Sequence, residues 1–333
     1  MIMAEVLTLG EIMLRLSTKE NRLACTDELL AHYGGGEANV AISLANFGHQ
    51  AYFASKVPDN ALGLAVKRHL NRFGVHTDFL LFGGQRLGIY FLEQGVGIKA
   101  ANVIYDRAFS SFSQMAANEW ERMDLFAGID LFHLSGITPA LSPAWLELLI
   151  KLMQEAKSRG VKISFDINFR GKLWSQAQAA EALKQILPYV DYLSAGRLDA
   201  KYLLGIKHAE LLPLEQCYQE MQRLYPNIQV IYSTNRTILS AKHNQLQGTL
   251  YYQNAYYESK VIDIPEIVDR VGGGDAYSAG ILHGLLSECE PQAIVDFATA
   301  ASALKHMVYG DCNQFTLEEV QAYLKNDSSK MNR

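Results

Sequence analysis

The stretch Val268-Asp269-Arg270-Val271-Gly272-Gly273-Gly274-Asp275-Ala276-Tyr277-Ser278-Ala279-Gly280 sets three consecutive glycines directly ahead of an apolar run at helical spacing, Ile281, Leu282, Leu285 and Leu286. Without Cβ atoms such a segment can pass very close to a ligand. A turn that opens a helix also offers free backbone N–H groups and the positive end of the helix dipole, both of which favour an anion. The carboxylate of Asp275 belongs to the same turn. It would repel a bound anion unless something stood between them, and a proton moving from one to the other meets that need. A tight turn capped by an aspartate is the plainer reading of the same residues. The P-loop pattern is excluded, because no Gly-Lys-Ser/Thr follows the glycines.

Working back from there, Glu5 to Leu9 reads as a short buried strand ending at Gly10-Glu11, and Leu14-Arg15-Leu16-Ser17 alternates as a half-exposed strand does. Tyr33-Gly34-Gly35-Gly36-Glu37-Ala38-Asn39 is a second glycine run leading into a helix, with Val40, Ile42, Leu44 and Phe47 on its apolar side and Gly48 as its stop. This run is a simple turn, or it lets backbone and Asn39 reach a small polar ligand. Ile89 to Glu93 and Asn102 to Arg107 look like a hairpin joined by a loop containing Gly95 and Gly97. With Leu14 to Ser17 they predict a separate small sheet, a cover over a cleft. Tyr105 and Arg107 lie two apart on a strand and so face one side; an exposed sheet face could equally carry them.

From Ile129 to Leu134 onward, strand and helix alternate. Ser142 with Pro143 starts one helix, Val161 to Asp166 is a strand, and Ser175 with Gln178 makes a capping box for a helix ending near Pro188. Tyr189 to Leu193 and Gln229 to Tyr232 are further strands. Leu239 to Lys242 and Thr249 to Tyr252 predict an edge hairpin, and Pro291 opens a last long helix ending near Gly310. The order predicts an α/β fold with a mostly parallel central sheet and helices on both faces. In such sheets ligands bind beyond the C-terminal strand ends. Asp166-Ile167-Asn168-Phe169-Arg170 and Ser233-Thr234-Asn235-Arg236 occupy two such ends, although Arg170 alone could be an ordinary surface arginine.

A net charge of −5 with evenly mixed signs argues against nucleic acid as a partner. No apolar run reaches membrane-spanning length, and Met1 to Gly10 is too short and mixed for a signal peptide. The four cysteines, Cys25, Cys217, Cys289 and Cys312, are far apart and form no metal-type pair, so a reducing cytoplasm is the expected location.

Taken together, these stretches resemble the ribokinase-like, phosphofructokinase-B type carbohydrate kinases from Gly10 to about Asp311. The glycine turn with Asp275 is similar to that family's anion-hole signature, where alanine is usual at Gly273. Gly35 to Asn39 resembles its substrate-side motif. Gly10 to Leu16, Val103 to Arg107, Asp166 to Trp174 and Asp269-Arg270-Val271 look most like 2-keto-3-deoxygluconate kinases. The resemblance implies a core of residues 1–12, 34–86 and 109–325, a β-sheet lid of 13–33 and 87–108, and a polar tail of 326–333. It implies Asp275 as the base for a primary hydroxyl attacking ATP, with Gly272, Gly273 and Gly274 holding the transferring phosphoryl group. Arg107 and Arg170 would pair with a sugar-acid carboxylate, Tyr90 and Tyr105 would contact hydroxyl or keto oxygens, and Gly35, Gly36, Asn39 and Asp311 would complete the acceptor site. Asn168, Thr234 and Arg236 would serve the nucleotide. Mg²⁺ would arrive with ATP, its protein ligands unknown; a monovalent cation is left open, and a homo-oligomer through the lid is expected.

Two departures stand out. Gly196-Arg197-Leu198-Asp199 falls where the family has Asn-x-x-Glu, so metal handling there is in doubt, and Arg197 is a candidate to replace the metal-side charge. Ser233-Thr234-Asn235-Arg236 falls where a Gly-x-x-Gly nucleotide loop is usual. The rivals are a fructokinase- or ribokinase-like kinase of a neutral sugar and a non-catalytic metabolite-binding regulator on a kinase scaffold. A dinucleotide dehydrogenase is disfavoured, because no Gly-x-Gly-x-x-Gly follows the first strand.

Overall fold

Glu5–Leu9 forms strand β1 as expected, and it lies well inside a large sheet. The computed structural model describes residues 3–19, 22–96, 99–115 and 118–325; the expected tail over 326–333 and Gly97 of the expected hairpin loop lie outside the described residues. After β1 come β2 (Met13–Ser17), β3 (Leu30–Gly34), α1 (Gly36–Asn46), β4 (Gln50–Val57), α2 (Ala61–Arg72), β5 (Leu80–Phe82), β6 (Ile89–Glu93) and β7 (Asn102–Asp106). The alternating part follows: β8 (Leu131–Ser135), α3 (Pro143–Ser158), β9 (Lys162–Asp166), α4 (Gln176–Ile186), β10 (Tyr192–Ser194), α5 (Arg197–Tyr202) and α6 (Leu214–Leu224). The chain ends through β11 (Val230–Ser240), β12 (His243–Tyr252), β13 (Ala255–Glu258), β14 (Ile262–Ile264), α7 (Gly273–Leu286), α8 (Pro291–Lys305) and α9 (Leu317–Lys325).

The large sheet runs β13-β12-β11-β10-β9-β8-β1-β4-β5, with β14 paired on β12. Every neighbouring pair from β11 to β5 is parallel. From β1 the chain order climbs one way through β4 and β5, and the other way through β8 to β11. That reversal opens a crevice at the C-terminal ends of β1 and β8, the place where such sheets bind ligands. Gly10, Glu11 and Ser135 stand at this crevice.

Both faces of the sheet are covered, as the alternation along β1 requires. Leu7 and Leu9 join one apolar cluster with Trp145 of α3 and Met221 of α6. Val6 joins the other with Val40 of α1, Leu70 of α2 and Ala279 of α7. Local signals start the helices where the sequence places them. Ser142 accepts from the Trp145 N–H at 3.2 Å ahead of Pro143, a cap worth about 1 kcal/mol. Ser175 and Gln178 form the reciprocal capping box.

A second sheet has the order β3-β2-β6-β7. β2 and β6 are parallel, and the outer pairs antiparallel. It contains the expected strands plus β3, which was not among those expected from the sequence. β2 is not half-exposed: Met13, Leu14, Arg15 and Ser17 are all buried, on both faces. Ser233 to Arg236 is not a loop after a strand either. These residues sit inside β11, which continues past its parallel neighbour β10 as an arm paired on one side only, with β12 (Thr234 opposite Gly248, Arg236 opposite Leu246). Without sheet neighbours on both sides the arm is free to be polar, and polarity is what made it read as a loop. α8 stops at Lys305, short of Gly310, and α9 follows it.

Candidate active site

The glycine turn stands at the crevice, anchored at two positions and open at the third. Gly272 has φ 81°, the left-handed conformation, and a Cβ there would collide with the Asp311 carbonyl oxygen and lie 3.5 Å from Asn39 Nδ2. Only glycine meets both conditions. Gly273 begins α7, and a Cβ there would stand 2.6 Å from His306 Cε1. Its carbonyl accepts from Ser302 Oγ at 2.7 Å. Gly274 is exposed, with no heavy atom within 4 Å of where its Cβ would be. The Gly273 N–H donates to Arg270 O at 3.3 Å, and among the described residues no N-cap side chain closes this end of α7, which leaves the helix start at Gly274 suited to an anion.

Asp275 Oδ2 accepts from Asn39 Nδ2 at 2.7 Å. A Cβ on Gly36 would lie 3.7 Å from Asp275 Oδ1 and 3.6 Å from Asn168 Nδ2, so Gly36, Asn39, Asn168 and Asp275 border one space. Asn168 has φ 43°, a strained value that asparagine tolerates. The buried Asn39 Oδ1 has no partner among the described residues, and an orphaned buried acceptor calls for a donor.

Burial pushes the Asp275 pKa up to about 7; Asn39's hydrogen bond opposes it, the charges of Asp166 and Asp311 add to it, and Arg170 opposes it. Burial likewise pushes Asp166, at the end of β9, up to about 6 against the pull of Arg170. Glu37 rises to about 7 through burial, although Ser135 Oγ donates to it at 2.5 Å. Carboxyls displaced towards neutrality around one crevice mark a candidate site for proton chemistry.

The arginines differ from each other. Arg170 is exposed, and its Nη1 contacts only the carbonyls of Asn168 (3.4 Å) and Phe169 (3.2 Å). It forms no ion pair among the described residues. Arg107 is buried and holds Glu11 through Nε at 2.9 Å and through Nη2. Glu11 is fixed in turn by Ser110 Oγ at 2.5 Å. Arg107 does share a side with Tyr105, its Cζ 5.9 Å from the ring centroid. Tyr105 faces Tyr90 across β6 and β7. Tyr90 Oη donates to Asp311 Oδ2, and Arg15 Nη1 donates to Asp311 Oδ1 at 2.8 Å. Both oxygens of Asp311 are therefore engaged inside a buried network.

Arg15 was missed as a functional residue. Fully buried, it also donates to Asp269 Oδ2 at 2.5 Å, which ties the small sheet to the strand of chain that enters the glycine turn. An arginine between two leucines on a short strand was the available signal. Thr234 and Arg236 lie on the β11 arm, and Arg236 stands near enough to Arg270 for its pKa to fall through burial and that like charge. A cleft of about 280 Å³ runs along Asp269, Arg270 and Val271, between Gly95 and Lys242.

Arg197, the candidate for a metal-side charge, turns its Nη1 to backbone carbonyls. It donates to the carbonyls of Ala209, at 2.6 Å, and Leu212, tying down the segment before α6. Asp199 turns back onto its own helix, accepting from the Gly196 N–H at 2.8 Å. Among the described residues, no three His, Cys, Asp or Glu side chains gather as a metal cluster.

A parallel sheet with an open helix N-terminus beside a carboxylate of raised pKa at its switch point suits a phosphotransferase that acts on an alcohol. The sequence matches the pfkB family carbohydrate kinases over residues 3–317. The chain belongs to that family. It is 32% identical over 332 residues to a 2-dehydro-3-deoxygalactonokinase of Haloferax volcanii, with 99% of each chain covered. A PfkB family carbohydrate kinase of Listeria grayi has a crystal structure 46% identical, with TM-score 0.93, covering 97% of this chain and 100% of its own. The structure of a 2-dehydro-3-deoxygluconokinase from Thermotoga maritima is 37% identical with TM-score 0.91 and the same coverage. No helix among the described residues is long and apolar enough to cross a membrane.

Proposed function

We propose that the enzyme transfers the γ-phosphoryl group of ATP to the primary hydroxyl of a 2-keto-3-deoxy sugar acid, 2-keto-3-deoxygluconate or its galactonate epimer. One observation carries this reading: Asp275, its pKa raised to about 7, adjoins the open Gly274 at the start of α7 and shares a space with Gly36 and Asn39. The acceptor's hydroxyl would sit in that space. Its oxygen attacks phosphorus, its proton passes to Asp275, and ADP leaves. The N–H groups of Gly272 and Gly274 meet the charge that builds on the phosphoryl oxygens, while the Gly273 N–H, which donates to Arg270 O at 3.3 Å, braces the turn between them. The repulsion between the aspartate and the anion is thereby removed, because the aspartate faces the hydroxyl and the glycines face the phosphate.

Asn39 Oδ1, buried and without a partner among the described residues, would accept from a second hydroxyl, alongside the backbone of Gly35 and Gly36. Arg170, in no ion pair among the described residues, supports an acid substrate by offering a flat two-donor fork. Arg107 would join it through the Nη1 side that Glu11 leaves uncovered, and Tyr105 lies beside it; Tyr90 and Asp311 act on the site through the Arg15 network. On the nucleotide side, Thr234, Arg236 and Arg270 form a polar and cationic rim to the turn, and Asn168 stands where donor and acceptor sites meet. Mg²⁺, when bound with ATP, neutralises phosphate charge. The small sheet closes over the acceptor as a lid, and exposed Ile104 and Tyr105 on β7 support it as the surface for a second copy, which gel filtration would detect as a dimer mass.

A coupled assay over sugars and sugar acids tests the assignment. Turnover of the two 2-keto-3-deoxy acids should exceed that of fructose and ribose, and the ratio between the two acids separates the epimers. Equal turnover of fructose would overturn the sugar-acid reading. ATP binding without transfer to any acceptor would favour a regulator.

A further inference from the structure

Helix α8 ends on Lys305, whose side chain is fully buried. Among the described residues it forms no ion pair. Its Nζ donates instead to two backbone carbonyls, Asp269 O at 3.0 Å and Val308 O at 3.5 Å. Asp269 lies three residues before the left-handed Gly272, so the ammonium grips the chain just where it enters the anion turn. That entry is held from other sides as well. The N–H groups of Val268 and Asp269 donate to His306 O at 2.9 and 3.2 Å, and Asp269 Oδ2 accepts from Arg15 at 2.5 Å and from the Gly310 N–H at 3.2 Å. One buried cation therefore faces the carboxylate of Asp269 and a second faces its carbonyl.

Burying an ammonium without a carboxylate partner sacrifices its hydration, and burial accordingly lowers the Lys305 pKa while Asp269 and Asp311 raise it. An apolar side chain would fill the same volume without that cost. The charge count supplies the reason. Arg15 and Lys305 balance Asp269 and Asp311, all four of them buried. Without Lys305 the set carries a net negative charge directly behind a turn that must receive phosphoryl oxygens.

We propose that the Lys305 ammonium is a built-in monovalent cation for the anion turn: it clamps the carbonyls of Asp269 and Val308, sets the course of the chain into Gly272, and makes phosphoryl transfer independent of added monovalent cations. A monovalent ion at this place would need the same carbonyl oxygens, and they are already engaged. Such an ion does not fit here. Lys305 touches no reacting atom and is a positioning residue. The inference rests on the kinase class and not on the identity of the sugar, so any acceptor that turns over serves for its test.

The experiment measures kcat and KM for ATP in tetramethylammonium buffers with and without Na⁺, K⁺ or NH₄⁺, for the wild type and for Lys305→Ala and Lys305→Met. The wild type should change by less than about two-fold across the ions. Lys305→Ala should lose about tenfold or more in kcat/KM and regain most of it with K⁺ or NH₄⁺, because it opens an ion-sized space between the carbonyls. Lys305→Met, which fills that space, should lose as much and not be rescued. Wild-type activation by K⁺ of more than about five-fold would overturn the proposal. So would a folded Lys305→Ala, by its melting curve, that no cation restores, or a fully active Lys305→Met. If neither variant folds, the wild-type ion series decides on its own.

Discussion

Asn39 Nδ2 donates to Asp275 Oδ2 across 2.7 Å, so α1 and α7 are joined at the carboxylate proposed as the base. This bond holds the Asp275 pKa down against burial, which carries it up to about 7. A base works only when deprotonated. Activity should rise about tenfold per pH unit below 7 and level off above it. Asn39→Ala removes the one hydrogen bond that opposes the shift, so the rising limb should move to higher pH, and a pH–rate profile of kcat reads that displacement directly. Asp275→Asn should reduce kcat by about 10³-fold while ATP still binds.

The same shift has a consequence for stability. The Asp275 pKa in the fold lies above the usual carboxylate value, so the folded state favours the protonated form. The destabilisation from its charge is absent below about pH 4, grows towards pH 7 and is constant beyond. Asp275→Asn should therefore stabilise the free enzyme by on the order of 2 kcal/mol at pH 8, and by less at pH 5. Melting curves at the two pH values check this, and a gain that does not vary with pH would count against the raised pKa.

Substitutions in the glycine turn should separate its three positions. Gly274→Ala adds a methyl into open space, so the melting temperature should hold while kcat falls, since the methyl lies where the phosphoryl group is proposed to bind. Gly273→Ala meets His306 Cε1 at 2.6 Å and should cost about 1–3 kcal/mol. His306→Ala in the same chain should recover part of that cost in a double-mutant cycle. Gly272→Ala combines a left-handed φ with a backbone collision and should be the worst tolerated of the three.

The α/β core, the glycine turn and the hairpin of the small sheet were legible because each rests on local signals: apolar runs, caps and turn residues. The buried network was not. Arg15, Asp269 and Asp311 are far apart in sequence and meet only in the fold, and a charged residue between leucines looks the same whether it faces water or two carboxylates. The β11 arm failed for the opposite reason, since strand pairing without burial leaves no apolar trace. Arg197 illustrates a third limit: the spacing brought it to the right helix start, but its side chain turned to the carbonyls of Ala209 and Leu212.

Arg15→Met tests how much the fold depends on that network. It would leave Asp269 and Asp311, each nearly inaccessible, facing each other without a cation between them. Removing one partner from buried ion pairs typically costs about 3–5 kcal/mol. Loss of soluble protein, or a melting temperature lower by many degrees, is the expected result. A variant as stable as the wild type would show that the fold does not depend on this network.

Arg107 and Arg170 should part company when each is replaced by alanine. Among the described residues, Arg107→Ala leaves Glu11, 2% exposed, with only Ser110 to satisfy it, so stability should fall by about 3 kcal/mol whatever the substrate. Pairing Arg107→Ala with Glu11→Gln should restore much of that stability, and any rise in KM for the sugar acid that persists in the double variant belongs to substrate contact. Arg170 has no carboxylate partner to abandon among the described residues, so Arg170→Ala should leave the melting temperature unchanged. It should raise KM for a sugar acid about tenfold or more, because a charge-assisted fork is lost, and leave KM for ATP nearly alone. Arg170 also lowers the Asp275 pKa, so its removal should push the rising limb of the pH–rate profile to higher pH, the same direction as Asn39→Ala. A KM for the acid that does not move in Arg170→Ala would remove the support this arginine gives to an acidic substrate and would turn the search towards neutral sugars.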